Sequence, residues 1–162
     1  MTTIKCTLST LGAAINALNE YEKSLPEKNR KFLDGLSDIG VVSETNNFNQ
    51  AQYDGERSID VGKDWESESK VYVVASGEAV GFIEFGSGAA YPDSHPNASE
   101  DWMKHGSWSE SEFGKHHWKD ENGWYYAHGK KSHGNPANMC IYYAAREMER
   151  NIVKTAREVF GT

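Results

Sequence analysis

The residues best suited to chemistry lie in one short stretch, GFIEFGSGAAYPDSHP, from Gly81 to Pro96. Glu84, Asp93 and His95 would make an acid–base set, and Ser76, Ser87 and Ser94 offer hydroxyls nearby in sequence. Those are the ingredients of a hydrolase in which a base activates a hydroxyl nucleophile. The local pattern argues against one. FGSGA lacks the G-x-S-x-G spacing that puts a serine on a strained strand-to-helix turn. Two carboxylates for glycoside cleavage could be drawn from the 24 acidic residues of any such chain. GSG and GKK are not a phosphate-binding G-x-x-x-x-G-K-[ST]. No enzymatic activity and no cofactor are expected.

Zinc is the other chemistry to weigh. His95, His105, His116, His117, His128 and His133 fall within 39 residues. Zinc ligands recur at spacings such as C-x-x-C or H-x-x-x-H on a rigid element. Here both cysteines, Cys6 and Cys140, lie outside the cluster, and no histidine pair is spaced by four. Adjacent His116 and His117 would point to opposite faces of a strand. The histidines read as surface and interface residues, with no metal. The cysteines read as reduced and buried or indifferent; a bridge between the two end segments is the minority alternative.

The elements that must position these residues are legible in part. Leu8, Leu11, Ile15, Leu18 and Tyr21 recur at helical spacing, with Ser9 or Thr10 as cap, and predict a helix over 9–24. Pro26 is expected to interrupt it. A second helix is predicted over 27–47, with Phe32, Leu36, Ile39 and Val42 on one face and Gly40 weakening its latter half. Alternation then predicts antiparallel strands over 57–65 and 69–76. Ala79–Phe85 is too short to decide between strand and helix. Residues 87–134 read as an extended arm holding many Gly and Ser residues, with a hairpin turning at Asn122-Gly123 between strands 115–119 and 124–128. The closing helix is predicted over 136–160: Asn135 as N-cap, Pro136 at its first position, and Gly161 where a C-terminus wants positive φ. Its apolar stripe is Ile141, Ala145, Met148, Ile152, Ala156 and Val159. The expected fold is α+β: a small antiparallel sheet flanked by N-terminal helices and a long C-terminal helix, in a single domain over 1–162.

Charge and composition narrow the partners. A net charge of −7 and the absence of a basic block speak against tight nucleic-acid binding, which needs several phosphate-neutralising cations on one face. An acidic wall can still face DNA without holding it. No apolar run approaches a membrane span, and the N-terminus lacks the layout of a secretory signal. Trp102, Trp108, Trp118, Trp124, Tyr125 and Tyr126 would suit a binding platform for a glycan or peptide, or the packing of the arm on the core or on a neighbouring subunit.

GFIEFGSG, a nearby His95-Pro96, and GNPAN opening an amphipathic C-terminal helix resemble, in this order and spacing, the phage neck and tail-completion proteins of long-tailed phages and prophages. Threonine is common in that family where this chain has Ser87; serine keeps the hydroxyl. The resemblance covers most of the chain. It implies a non-enzymatic virion protein at the head–tail junction, often labelled a minor capsid or tail component. Such proteins assemble as a ring, often six-fold, around a channel that DNA crosses. It places the protein in the host cytoplasm during assembly and in the virion afterwards, against head-connector and tail proteins. The residues expected to serve structure or interface are Phe82, Glu84, Phe85, Gly86, Gly88, His95, Pro96, Trp118, Trp124, Tyr125, Asn135 and Pro136. Phe82, Ile83 and Phe85 should anchor the segment in the core. Gly86 and Gly88 should permit a sharp turn. Glu84 should cap backbone amides or pair with a cation of its own subunit or the next.

Overall fold

Pro26 does not end the first helix. A computed structural model describes residues 8–53, 55, 57–86, 95, 124–125, 131–132 and 134–161, with 8–9, 124–125 and 131–132 by their backbone. In it α1 runs unbroken over Leu8–Gln50 with Pro26 inside. A mid-helix proline removes one backbone hydrogen bond and crowds the preceding turn. Here it lies on an exposed face, and Ser24 donates its hydroxyl to the Tyr21 carbonyl 2.7 Å away in that turn. The two predicted helices are therefore one, about 65 Å long at 1.5 Å per residue.

The latter half of α1 buries Ser37, Gly40, Glu44 and Phe48, a stripe of mostly small or polar residues. Phe32, Leu36 and Ile39 are half-buried, but Val42 of the expected stripe is exposed. Strand β1, Asp60–Ser67, pairs antiparallel with β2, Lys70–Ser76, as a two-stranded sheet. Val61 faces Ala75, Lys63 faces Val73 and Trp65 faces Val71, with an irregularity between Trp65 and Ser67. That half-buried face lies toward α1, where Lys63 Nζ meets Asp34 at 2.5 Å and Asp38 at 2.8 Å. Gly40 is the close-approach point: a Cβ there would lie 2.6 Å from Met148 Sδ and 2.9 Å from Val73 Cγ2.

Val80–Phe85 is the short helix α2, which resolves the strand-or-helix alternative. Strand β3, Trp124–Tyr125, pairs with β4, Lys131–Ser132. That pairing brings the chain back between Tyr125 and Lys131; the expected Asn122-Gly123 turn and strand 115–119 lie outside the described residues.

The closing helix, α3, spans Cys140–Phe160 and starts four residues later than predicted. Met139 is its N-cap, in the left-handed region at φ 53°, so neither Asn135 nor Pro136 opens the helix. Gly161 is extended at φ −73°, not left-handed, while its N–H still donates to the Arg157 carbonyl. The buried face of α3 is Cys140, Ala144 and Thr155, whereas Ile141 and Ile152 of the predicted stripe are exposed. Ala145, Met148, Ala156 and Val159 of that stripe are half-buried, Met148 against Gly40, and a Cβ on Gly35 would touch Thr155 Cγ2 at 3.5 Å. The two helices run antiparallel, with Phe160 beside Phe32 (ring centroids 5.9 Å apart) and Asn47 Nδ2 donating to the Cys140 carbonyl at 3.0 Å. The core gathers Phe48, Ala51, Ala79, Ile83 and Cys140, with Tyr53, Ile59, Val61, Ala75 and Val80 around it. The fold is α+β, as the sequence predicts. No helix among the described residues is long and apolar enough to cross a membrane.

Candidate functional site

Helix α3 begins at a residue that cannot cap it. A thioether side chain offers its N-terminal amides no useful acceptor, and the first N–H groups of a helix have no intrahelical partner. The acceptor comes from α2. Glu84, 2% exposed, takes the Ile141 N–H on Oε2 at 2.7 Å and the Tyr142 N–H on Oε1 at 3.0 Å. Those are the second and third amides of α3, the ones a local N-cap side chain ordinarily serves. The positive end of the helix dipole favours the same carboxylate. The amide cap expected of Glu84 is seen.

The opposite traffic closes the joint. Asn138 and Met139 donate their backbone N–H groups to the Ile83 carbonyl at 2.8 Å and the Glu84 carbonyl at 3.2 Å, at the C-terminal end of α2. Asn135 Nδ2 donates to the Phe82 carbonyl at 2.8 Å. Asn138 Nδ2 donates to the Pro136 carbonyl, and its Oδ1 accepts the Gln52 N–H at 2.7 Å. Each helix end is thus capped by the segment that holds the other. Gly86 makes room: at φ 79° it carries no Cβ, which would sit 2.7 Å from Ala137 N and 2.9 Å from the Asn135 carbonyl oxygen.

His95 completes the cluster. Its Nε2 lies 3.0 Å from Glu84 Oε1, and both side chains are buried. The ring packs against Phe85 at 4.6 Å and Tyr142 at 5.9 Å between centroids. The acid and base flagged in the sequence do meet, but three N–H or ring-nitrogen partners converge on Glu84, and its oxygens serve as acceptors. Ser76 sits on the exposed end of β2. Ser87, Gly88, Asp93, Ser94, Pro96 and Trp118 lie outside the described residues, and Trp124 and Tyr125 are seen only as backbone in β3.

Residues that the sequence reading missed finish the site. Glu44 of α1 is 1% exposed, and its Oε1 has no hydrogen-bond partner among the described residues. Burial, with the neighbouring Glu84 charge second, pushes its carboxyl up to about 7. Cys140 is a free, buried thiol pushed up to about 12 by burial and by the Glu84 and Glu44 charges. Such a thiol stays protonated and is no nucleophile at neutral pH. Among the described residues no group of three or more His, Cys, Asp or Glu is placed to hold a metal. The signal for Glu44 was present: it continues the Gly40 to Phe48 spacing on one helix face. No family model, curated protein or solved structure matches the chain.

Proposed function

We propose that this chain is a structural virion component of a phage head–tail junction, a tail-completion or neck protein that is non-enzymatic and assembles as a ring around the DNA channel. The observation that carries the reading is the use made of Glu84. The motif glutamate accepts the first free amides of the closing helix, so the residues that carry the resemblance serve as a structural joint. GFIEFG and GNPAN, which the resemblance pairs by order alone, lock together through Glu84, Asn135 and Asn138.

Two further features support it. Apolar side chains along the first half of α1 are exposed, which suits a contact with a neighbour. The charge of −7 suits a surface that DNA slides past without sticking. Subunit contacts would involve the aromatic arm, and the neighbours would be head-connector and tail proteins. The alternative, a glycan- or peptide-binding arm, rests on aromatic side chains outside the described set. Electron microscopy of lysates from a phage or induced prophage lacking this gene tests the proposal. Separate filled heads and finished tails are expected; normally joined particles would refute it.

A further inference from the structure

We propose that the joint between α1, α2 and the start of α3 is a pH-sensitive latch, closed while Glu44 is protonated and opening locally, ahead of the rest of the fold, once Glu44 is ionised. The proposal goes beyond the assembly reading and does not depend on it. Two carboxylates are buried at this joint from different elements, Glu44 from α1 and Glu84 from α2. Their surroundings are unequal. Glu84 accepts the Ile141 and Tyr142 amides and contacts His95 Nε2, so the protein itself solvates its charge. Glu44 Oε1 has no hydrogen-bond partner among the described residues. A buried carboxyl without donors, close to a second carboxylate, is held best in its neutral form. Burial, and then the Glu84 charge, accordingly push Glu44 up to about 7.

The other titratable groups on the elements packed here give that charge no counter-ion. Helix α3 presents the Cys140 thiol and, further along, Glu147, which Asn151 and Arg150 hold. His95 places its Nε2 on Glu84. On the sheet, Lys63 pairs with Asp34 and Asp38 of α1, and past the end of α1 Arg57 donates to the Asn49 and Tyr53 carbonyls. An ionised Glu44 is therefore solvated only by water, which it reaches when α2 parts from α1. Helix α2 is the element able to yield. It is six residues long and is held to the base of α3 through Glu84 and the Asn138 and Met139 amides. The packing of Gly40 with Met148, Gly35 with Thr155 and Phe32 with Phe160 lies along the rest of α1 and α3 and keeps the body folded.

Cys140 reports the opening, because it is buried in the core against Ala79 and Ile83. In the full chain with Cys6→Ser it is the only thiol. Its labelling rate with a neutral thiol reagent is measured at pH 6 and pH 8 and divided by the rate of the urea-unfolded protein at the same pH, which cancels the ionisation of the thiol itself. A carboxyl that titrates near 7 when closed and at its ordinary 4.5 when open predicts a rise of about tenfold in that ratio. Glu44→Gln, which retains His95, should hold the ratio flat. Amide exchange on the wild type reads the same event without a substitution. Corrected for chemical exchange rates, the Ile141 and Tyr142 amides should lose protection over this range while those in the second half of α3 keep theirs. A wild-type ratio that does not change with pH, a ratio that rises as much in Glu44→Gln, or protection lost equally along α3 would each overturn the proposal.

Discussion

Glu84 is the residue on which the account turns. Its carboxylate accepts two amides of α3 and contacts His95 from a buried position. Glu84→Gln keeps one acceptor and replaces the other with an amide donor that faces N–H groups. A cost of about 1–3 kcal/mol is expected, the range for leaving a buried donor unsatisfied. Thermal or denaturant unfolding should register it as a lower midpoint, and an unchanged midpoint would remove the capping role.

Glu44 makes the opposite prediction. Its carboxyl titrates near 7 in the folded chain against an ordinary 4.5. Between those values the unfolded chain has lost the proton that the folded chain still holds. Stability contributed by Glu44 is therefore complete below about 4.5, falls as pH rises through the window, and levels off above about 7. Glu44→Gln removes the titration, so its melting temperature relative to wild type should rise between pH 5 and pH 8. Parallel melting curves for the two proteins across that range would contradict the assignment.

At the scale of elements, periodicity was a good guide where burial is local and a poor one where caps come from afar. The strand pair and the amphipathic closing helix could be read from alternation and helical spacing alone. The start of α3 could not. Asn135 and Pro136 form a valid local N-terminus, but the Asn135 amide is spent on the Phe82 carbonyl and the helix waits for Glu84. A cap separated by more than fifty residues leaves no local spacing to detect. The stripe of α3 is legible in part: Ala145, Met148, Ala156 and Val159 are half-buried, Met148 against Gly40, while Ala144 and Thr155 beside them take the most buried places. Pro26 was read as a break because proline ordinarily is one; on an exposed face of a long helix it is carried through. The joint between α2 and α3 depends on Gly86 most directly. Gly86→Ala should lower stability by at least about 1–3 kcal/mol, from positive φ and from the clash with Ala137 and Asn135. A denaturant midpoint within experimental error of wild type would show that the joint has slack.

At the scale of the whole molecule, the same joint ties the elements together. The Glu84 and Asn138 contacts tie α2 to the base of α3, which packs along the second half of α1, and among the described residues the apolar side chains of the first half stay exposed. The proposed assembly role assigns that exposed helix face to a neighbour. The α+β class was legible from the order of periods; the clip was legible only as two short motifs with no stated partner. The measurement that tests the central claim most directly is complementation in vitro. Purified protein is added to a lysate that lacks it and holds unjoined heads and tails, and infectious particles are counted. Wild-type protein should restore joined, infectious particles by several orders of magnitude, and the Glu84→Gln variant should do so less well at temperatures near its own midpoint. Heads and tails that stay separate after addition of folded wild-type protein would contradict the account.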